Sequence, residues 1–305
     1  MKCDGCGKIV VNVRFAARGP WTGKYVCREC WTAPRLVDVR FGVEVEWKDF
    51  ERRYPRFLVR WPELERVINA VVSRKCDAAE PAEKLFFLLG RLSVEDFVEI
   101  FLNAGNGYGV AGLKLLRPMF ERLVTMIHLV RNPKDVRAFL DYHHVHSQKL
   151  VRHIKDGGDD PARYFSQDTL REIETNYGAV SPELRKMRSW TKIDLATMAR
   201  RVGLGMEYVS LSYFPTLQLH TTVTGLLTRL DPEDPAVIAF RTGSQRKEAD
   251  MALWGAHLCL ARLLEEQINY FQLPLSAARV REIFEDCWPG DPGEPNPAGS
   301  EEREE

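Results

Sequence analysis

Four cysteines are spaced as metal ligands are. Cys3-Asp-Gly-Cys6 and Cys27-Arg-Glu-Cys30 make two C-x2-C knuckles with twenty residues between them. Tetrahedral zinc needs four thiolates converging at about 2.3 Å, and each knuckle presents two of them from one tight turn. Gly5 and Gly7 suit that turn, because glycine adopts backbone conformations other residues resist. The role expected for Cys3, Cys6, Cys27 and Cys30 is a closed structural Zn2+ site that folds the segment, since catalytic zinc keeps a water and commonly a histidine. Four free cysteines are the alternative. A second set of polar groups, Lys114, Arg117, Glu121, Thr125 and His128, falls within about a quarter turn on one helix at ~100° per residue. Of these, Arg117 and Glu121, together with His220 further on, are the candidates for a site or for an internal polar network. A third set, His143, His146 and His153, lies along one side of a later helix. It allows a metal reading, but no carboxylate is well placed, so solvated or hydrogen-bonded histidines are the plainer expectation.

The stretch that must hold the second set runs from Tyr108 to Pro133. Leu113, Leu116, Phe120, Leu123, Ile127 and Val130 recur at steps of three and four, the spacing of a core stripe. Leu115, Met119, Met126 and Leu129 oppose them, and a helix apolar on two faces is one that neighbours wrap. Charges held among packed side chains must be paired or line a wet cavity. Pro118 frees the carbonyl of Lys114; because apolar periodicity continues across it, one kinked helix is expected rather than a start at Pro118.

Other helices are expected on both sides, from Pro62 to about Cys76, from Pro81, from Ser93 with Asp96 as an acidic capping box, from Pro133 to about Lys155, around 170–177 and 182–187, from about Ile193 to Val202, through 206–227, from Gln245 to about Phe271, and over 276–288. The glycines of 105–109 read as an interhelix turn, for no strand precedes them and no GK[ST] follows. Before this helical part, Val37, Val39, Phe41, Val43, Val45 and Trp47 alternate with polar positions or glycine and predict a strand, and 48–61 reads as a linker. Short strands are expected between the knuckles, over 8–15 and 24–26. The fold class expected is therefore mainly α, a helical bundle with a small N-terminal β zinc ribbon. Its parts are a ribbon module with its following strand (1–50), a linker (51–61), the bundle (62–288) and a disordered acidic tail (289–305).

Bulk properties exclude some classes. Lys plus Arg equals Asp plus Glu, so no overall charge argues for a nucleic-acid binder. The imbalance is local: residues 1–35 hold seven Lys or Arg against Asp4 and Glu29, and residues 289–305 hold six acids against Arg303. No apolar run approaches the ~20 residues of a membrane span, no secretory leader is expected, and seven scattered or knuckle-paired cysteines fit a reducing compartment; a cytoplasmic protein is expected.

Arg117-Pro-Met-Phe-Glu121, Phe139-Leu-Asp141-Tyr142, Ser189-Trp190-Thr191, the Ala-x-x-Val-Gly segment after it and His220 together resemble the helical domain-of-unknown-function family 5677 over roughly residues 85–270. The resemblance implies that an Arg-x-x-x-Glu helix faces a helix bearing a histidine. In that family serine commonly precedes this histidine and proline follows it, where this chain has Leu219 and Thr221. It implies no activity, and the zinc module lies outside it. The leading expectation is a binding or regulatory protein whose ribbon engages a protein or nucleic acid, with Arg117, Glu121 and His220 as a structural network. The alternative is an enzyme: Arg137-Ala-Phe-Leu-Asp-Tyr-His143 is similar to the Arg-x4-6-His motif of the HEPN toxins. That resemblance implies a metal-independent ribonuclease of defence type, with arginine stabilising charge on phosphate and histidine moving protons. A second alternative is nucleic-acid binding through the ribbon alone.

Overall fold

A computed structural model describes residues 13–15, 25–27, 44–75, 80–219, 222–227, 230 and 244–289. The chain divides into two units, Met1–Phe41 and Gly42–Glu305. In the first, β1 (Val13–Phe15) pairs antiparallel with β2 (Tyr25–Cys27), Val13 opposite Cys27. Cys3, Cys6 and Cys30 lie outside the described residues, as do residues 36–43 of the expected strand, His220, most of 228–243 and the acidic tail.

The second unit is helical. The last four residues of the expected strand, 44–47, and the linker expected over 48–61 are helical instead, in α1 (Glu44–Arg53) and α2 (Pro55–Val72). Valine alternation marks only part of this segment. Trp47, Phe50, Tyr54, Phe57 and Trp61 recur at steps of three and four, and burying rings outweighs the strand preference of Val45, which stays exposed. Trp47, Phe50, Phe57 and Trp61 all pack their rings on Phe101, with centroids 5.9, 5.6, 5.5 and 5.1 Å away. Pro62 is consequently inside α2 rather than at its start.

α3 (Pro81–Gly105) is one helix where two were expected. Its capping box is Glu80 with Glu83, and Ser93 is no cap: fully buried, it donates to the Leu89 carbonyl one turn back at 2.9 Å. The turn over Asn106–Tyr108 leads to α4 (Gly109–Arg131), continuous through Pro118. Gly109 is there for packing and holds no phosphate: a Cβ would collide with the backbone of Gln245 and Ala249. Gln245 also ties the turn, donating its N–H to the Gly107 carbonyl at 2.8 Å and accepting from Val110 N at 2.9 Å.

Downstream come a 3-10 turn (Pro133–Asp135), α5 (Val136–Asp156), a second 3-10 turn (Pro161–Arg163), α6 (Gln167–Ala179), α7 (Pro182–Lys186) and α8 (Leu195–Val202). Asp194 caps α8, its side chain accepting from Thr197 N at 2.7 Å, and Gly203 ends it with φ 87°. The run expected as one buried helix over 206–227 is a π-helical turn (Val209–Tyr213), α9 (Phe214–Leu219) and α10 (Val223–Leu227). It is buried on one side only: Leu211 is inside, while Met206, Val209, Tyr213 and Val223 are exposed. α11 (Arg246–Tyr270) and α12 (Ala277–Cys287) complete the chain's described helices.

The core is built on a pair. α4 is wrapped as expected, with Leu113, Leu116, Met119 and Phe120 at 0% exposure; α11, with Leu253, Ala256, Leu260 and Leu264 equally buried, lies along it, and α3 packs on both. Lys114 and Glu121 reach solvent. A smaller core of Tyr142, Val145, Val180 and Leu184 sits under α5, α6 and α7. Trp190, in the α7–α8 loop, packs against both cores.

Candidate ligand-binding cleft

Where the two cores meet, the surface opens into a cleft of about 360 Å3. The last turn of α4 supplies His128 and Asn132, the 3-10 turn Lys134 and Asp135, the α7–α8 loop Trp190 to Ile193, and α8 Arg201. The local sequence makes this shape. Asn132 ends α4, and Pro133, unable to continue the helix, opens a tight turn that brings Asp135 back over His128.

His128 is 2% exposed. Its Nε2 is 3.0 Å from Asp135 Oδ2, and its Nδ1 is 3.5 Å from Asn132 Nδ2, which also donates to the His128 carbonyl at 2.8 Å. An amide nitrogen only donates, so Nδ1 accepts and Nε2–H is given to Asp135. The Asp135 bond fixes the ring, while the Asn132 contact to Nδ1 is long. Trp190 stands over the pair, its ring 5.8 Å from the imidazole and edge-on to Phe139 at 5.2 Å. At the mouth, Lys134, Lys192 and Arg201 are exposed, and none has an acid partner among the described residues. Asp135 is the only carboxylate among the lining residues. The negative end of α4 and the positive end of α5 also meet here; each is worth about half a charge and they largely cancel. Three full cations outnumber the lining's one carboxylate, so the cleft's formal charge is positive.

The residues singled out from sequence fare differently. Arg117 is half-buried, and its Nε has no hydrogen-bond partner among the described residues. Glu121, one turn on, is exposed and makes no ion pair with it, and the third member, His220, is outside the described residues. A partly buried charge pair of α4 is a different one, Arg122 with Asp96 of α3. Arg137 is 84% exposed along its side chain and bonds Asp141 at 2.9 Å, while His143, exposed, lies about 120° around the same helix. His146 packs on Tyr142, and its imidazole is held below the usual value by partial burial and by the neighbouring Lys149 and His143. Among the described residues no three His, Cys, Asp or Glu side chains are grouped to hold a metal ion. The Cys259 thiol is pushed up by burial, and that of Cys287 up to about 12 by the same cause, so neither is a ready nucleophile.

Sequence reasoning placed His128 on the polar strip and noted Trp190 and Thr191, but missed Asp135, Lys134, Lys192 and Arg201. The local signal was His128 followed by Asn132-Pro-Lys-Asp135, a helix stop that turns a carboxylate back toward the histidine. The joining of that turn to the 190–201 segment has no sequence signature.

Residues 83–237 match the profile of a family described as of unknown function, DUF5677. That range contains the whole cleft. No curated protein and no solved structure matches the chain.

Proposed function

We propose, from the premise that this chain belongs to the family of unknown function DUF5677, that its helical unit is a binding or regulatory module whose ligand site is the anion-receiving cleft. The supporting observation is that three cations, none with an acid partner among the described residues, line one cleft that holds a single carboxylate. The N-terminal cysteines belong to the same proposal as a structural Zn2+ module, supported by the knuckle spacing and by the β1–β2 pairing between the knuckles.

The test is a thermal-shift and calorimetric titration of the full chain with phosphate, pyrophosphate, sulfate and citrate. At least one should raise the melting temperature, as any ligand of the native state must. Lys192→Glu with Arg201→Glu should abolish the rise. A panel inert at millimolar concentration would sink the binding reading. The ribonuclease alternative is checked by incubating the protein with RNA in chelator, where intact RNA is expected; cleavage lost in Arg137→Ala or His143→Ala would reverse that conclusion.

A further inference from the structure

Resting on the binding reading above, we propose that the cleft's ligand is a small phosphorylated sugar compound of mononucleotide size, held by its phosphate at Lys134, Lys192 and Arg201. Volume is the first argument. About 360 Å3 is near the lower bound of small-molecule pockets, roughly 300 to 1,000 Å3; it exceeds what an inorganic ion fills.

The lining is also divided by chemistry. The three cations all line the cleft and are all exposed, so a phosphate dianion there would keep part of its hydration and still gain charge-assisted hydrogen bonds. Two lining groups less exposed than the cations can meet hydroxyls. Asp135 gives Oδ2 to His128, and Oδ1 has no partner among the described residues, leaving it to accept from a sugar hydroxyl. Thr191 Oγ1 already accepts from Ile193 N at 3.1 Å, which fixes the oxygen and leaves its own proton to donate. Met187, Trp190 and Ile193 form the remaining wall, an apolar surface for a ring or carbon skeleton. A carboxylate-only anion would use the cations and waste the rest. The lining carboxylate would also repel a second negative group, so a ligand with its charge at one end and hydroxyls beside it is the one that satisfies every part.

Calorimetry on the full chain with AMP, ribose 5-phosphate, adenosine, inorganic phosphate and citrate tests this. AMP or ribose 5-phosphate should bind at least tenfold more tightly than phosphate, citrate or adenosine. Lys134→Glu and Lys192→Glu, both at exposed positions that leave the fold intact by circular dichroism, should each lose about tenfold, or about 1.4 kcal/mol. A preference for AMP over ribose 5-phosphate would make the ligand a nucleotide; equal binding would make it a sugar phosphate. Phosphate or citrate binding as tightly as AMP, with the same sensitivity to Lys192→Glu, would overturn this proposal and leave the anion-cleft reading standing. A short 5′-phosphorylated RNA that binds better than AMP would overturn the small-ligand assignment. No binding of any anion would remove both.

Discussion

Two histidines buried in one bundle have opposite surroundings. His128 is satisfied by Asp135 and Asn132. His257 is fully buried among Phe57, Phe97, Phe284 and Trp288; its Nδ1 accepts from Trp288 Nε1 at 2.9 Å, and its Nε2 has no partner among the described residues. Burial lowers its pKa to about 3. Between there and the ordinary value near 6.5 the unfolded chain binds a proton that the folded chain refuses, so stability falls as pH falls through that window, by up to about 1.4 kcal/mol per pH unit. Urea denaturation at pH 7, 6, 5 and 4 should therefore show a declining free energy, and His257→Phe, which keeps an aromatic ring in the same cage, should flatten the decline even where it lowers stability at pH 7. An unchanged slope in that variant would mean the acid sensitivity lies elsewhere. Asp49 adds to acid sensitivity: burial would raise its pKa, but Arg52, Arg53 and Arg246 outweigh burial and hold it below the usual value, so its contribution is present above about pH 4 and lost beneath.

At the scale of elements, glycine position separates packing from propensity. Gly109 brings α4 against the start of α11, and Gly109→Ala should cost about 1 to 3 kcal/mol, the range for overpacking a tight contact. Gly178, inside α6, has open space around it, so Gly178→Ala should stabilise by about 0.5 to 1 kcal/mol through helix propensity alone. Denaturant midpoints of the two variants, measured side by side, check both signs; a neutral Gly109→Ala would show that the α4–α11 approach is looser than described. The same scale explains α1 and α2. A two-residue alternation and a three-four aromatic stripe coexist over 43–61, and the stripe prevails because Phe101 of α3 offers four rings a common surface.

For the whole molecule, the bundle carries its own core and the N-terminal segment carries the four knuckle cysteines, so metal and helicity should be separable. Purified full-length protein is expected to hold about one zinc per chain by mass spectrometry, reduced in Cys27→Ser, while the far-UV helical signal persists after chelation. Loss of the helical signal with the metal would show that the units fold as one. Among the described residues no helix is long and apolar enough to cross a membrane.

From sequence alone the mainly helical class, the buried α4 with Pro118 inside it, the turn at 106–108, the end of α8 at Val202 and the long α11 were all determined, because each rests on spacing within one helix or on residues adjacent in the chain. Tertiary structure decided the rest. That α11 shares the centre with α4, that Ser93 is core rather than cap, and that Trp190, Lys192 and Arg201 face His128 and Asp135 across the cleft all depend on which helices meet. Periodicity says that a face must be covered; only packing says by what, and a cleft exists where two covers fail to close.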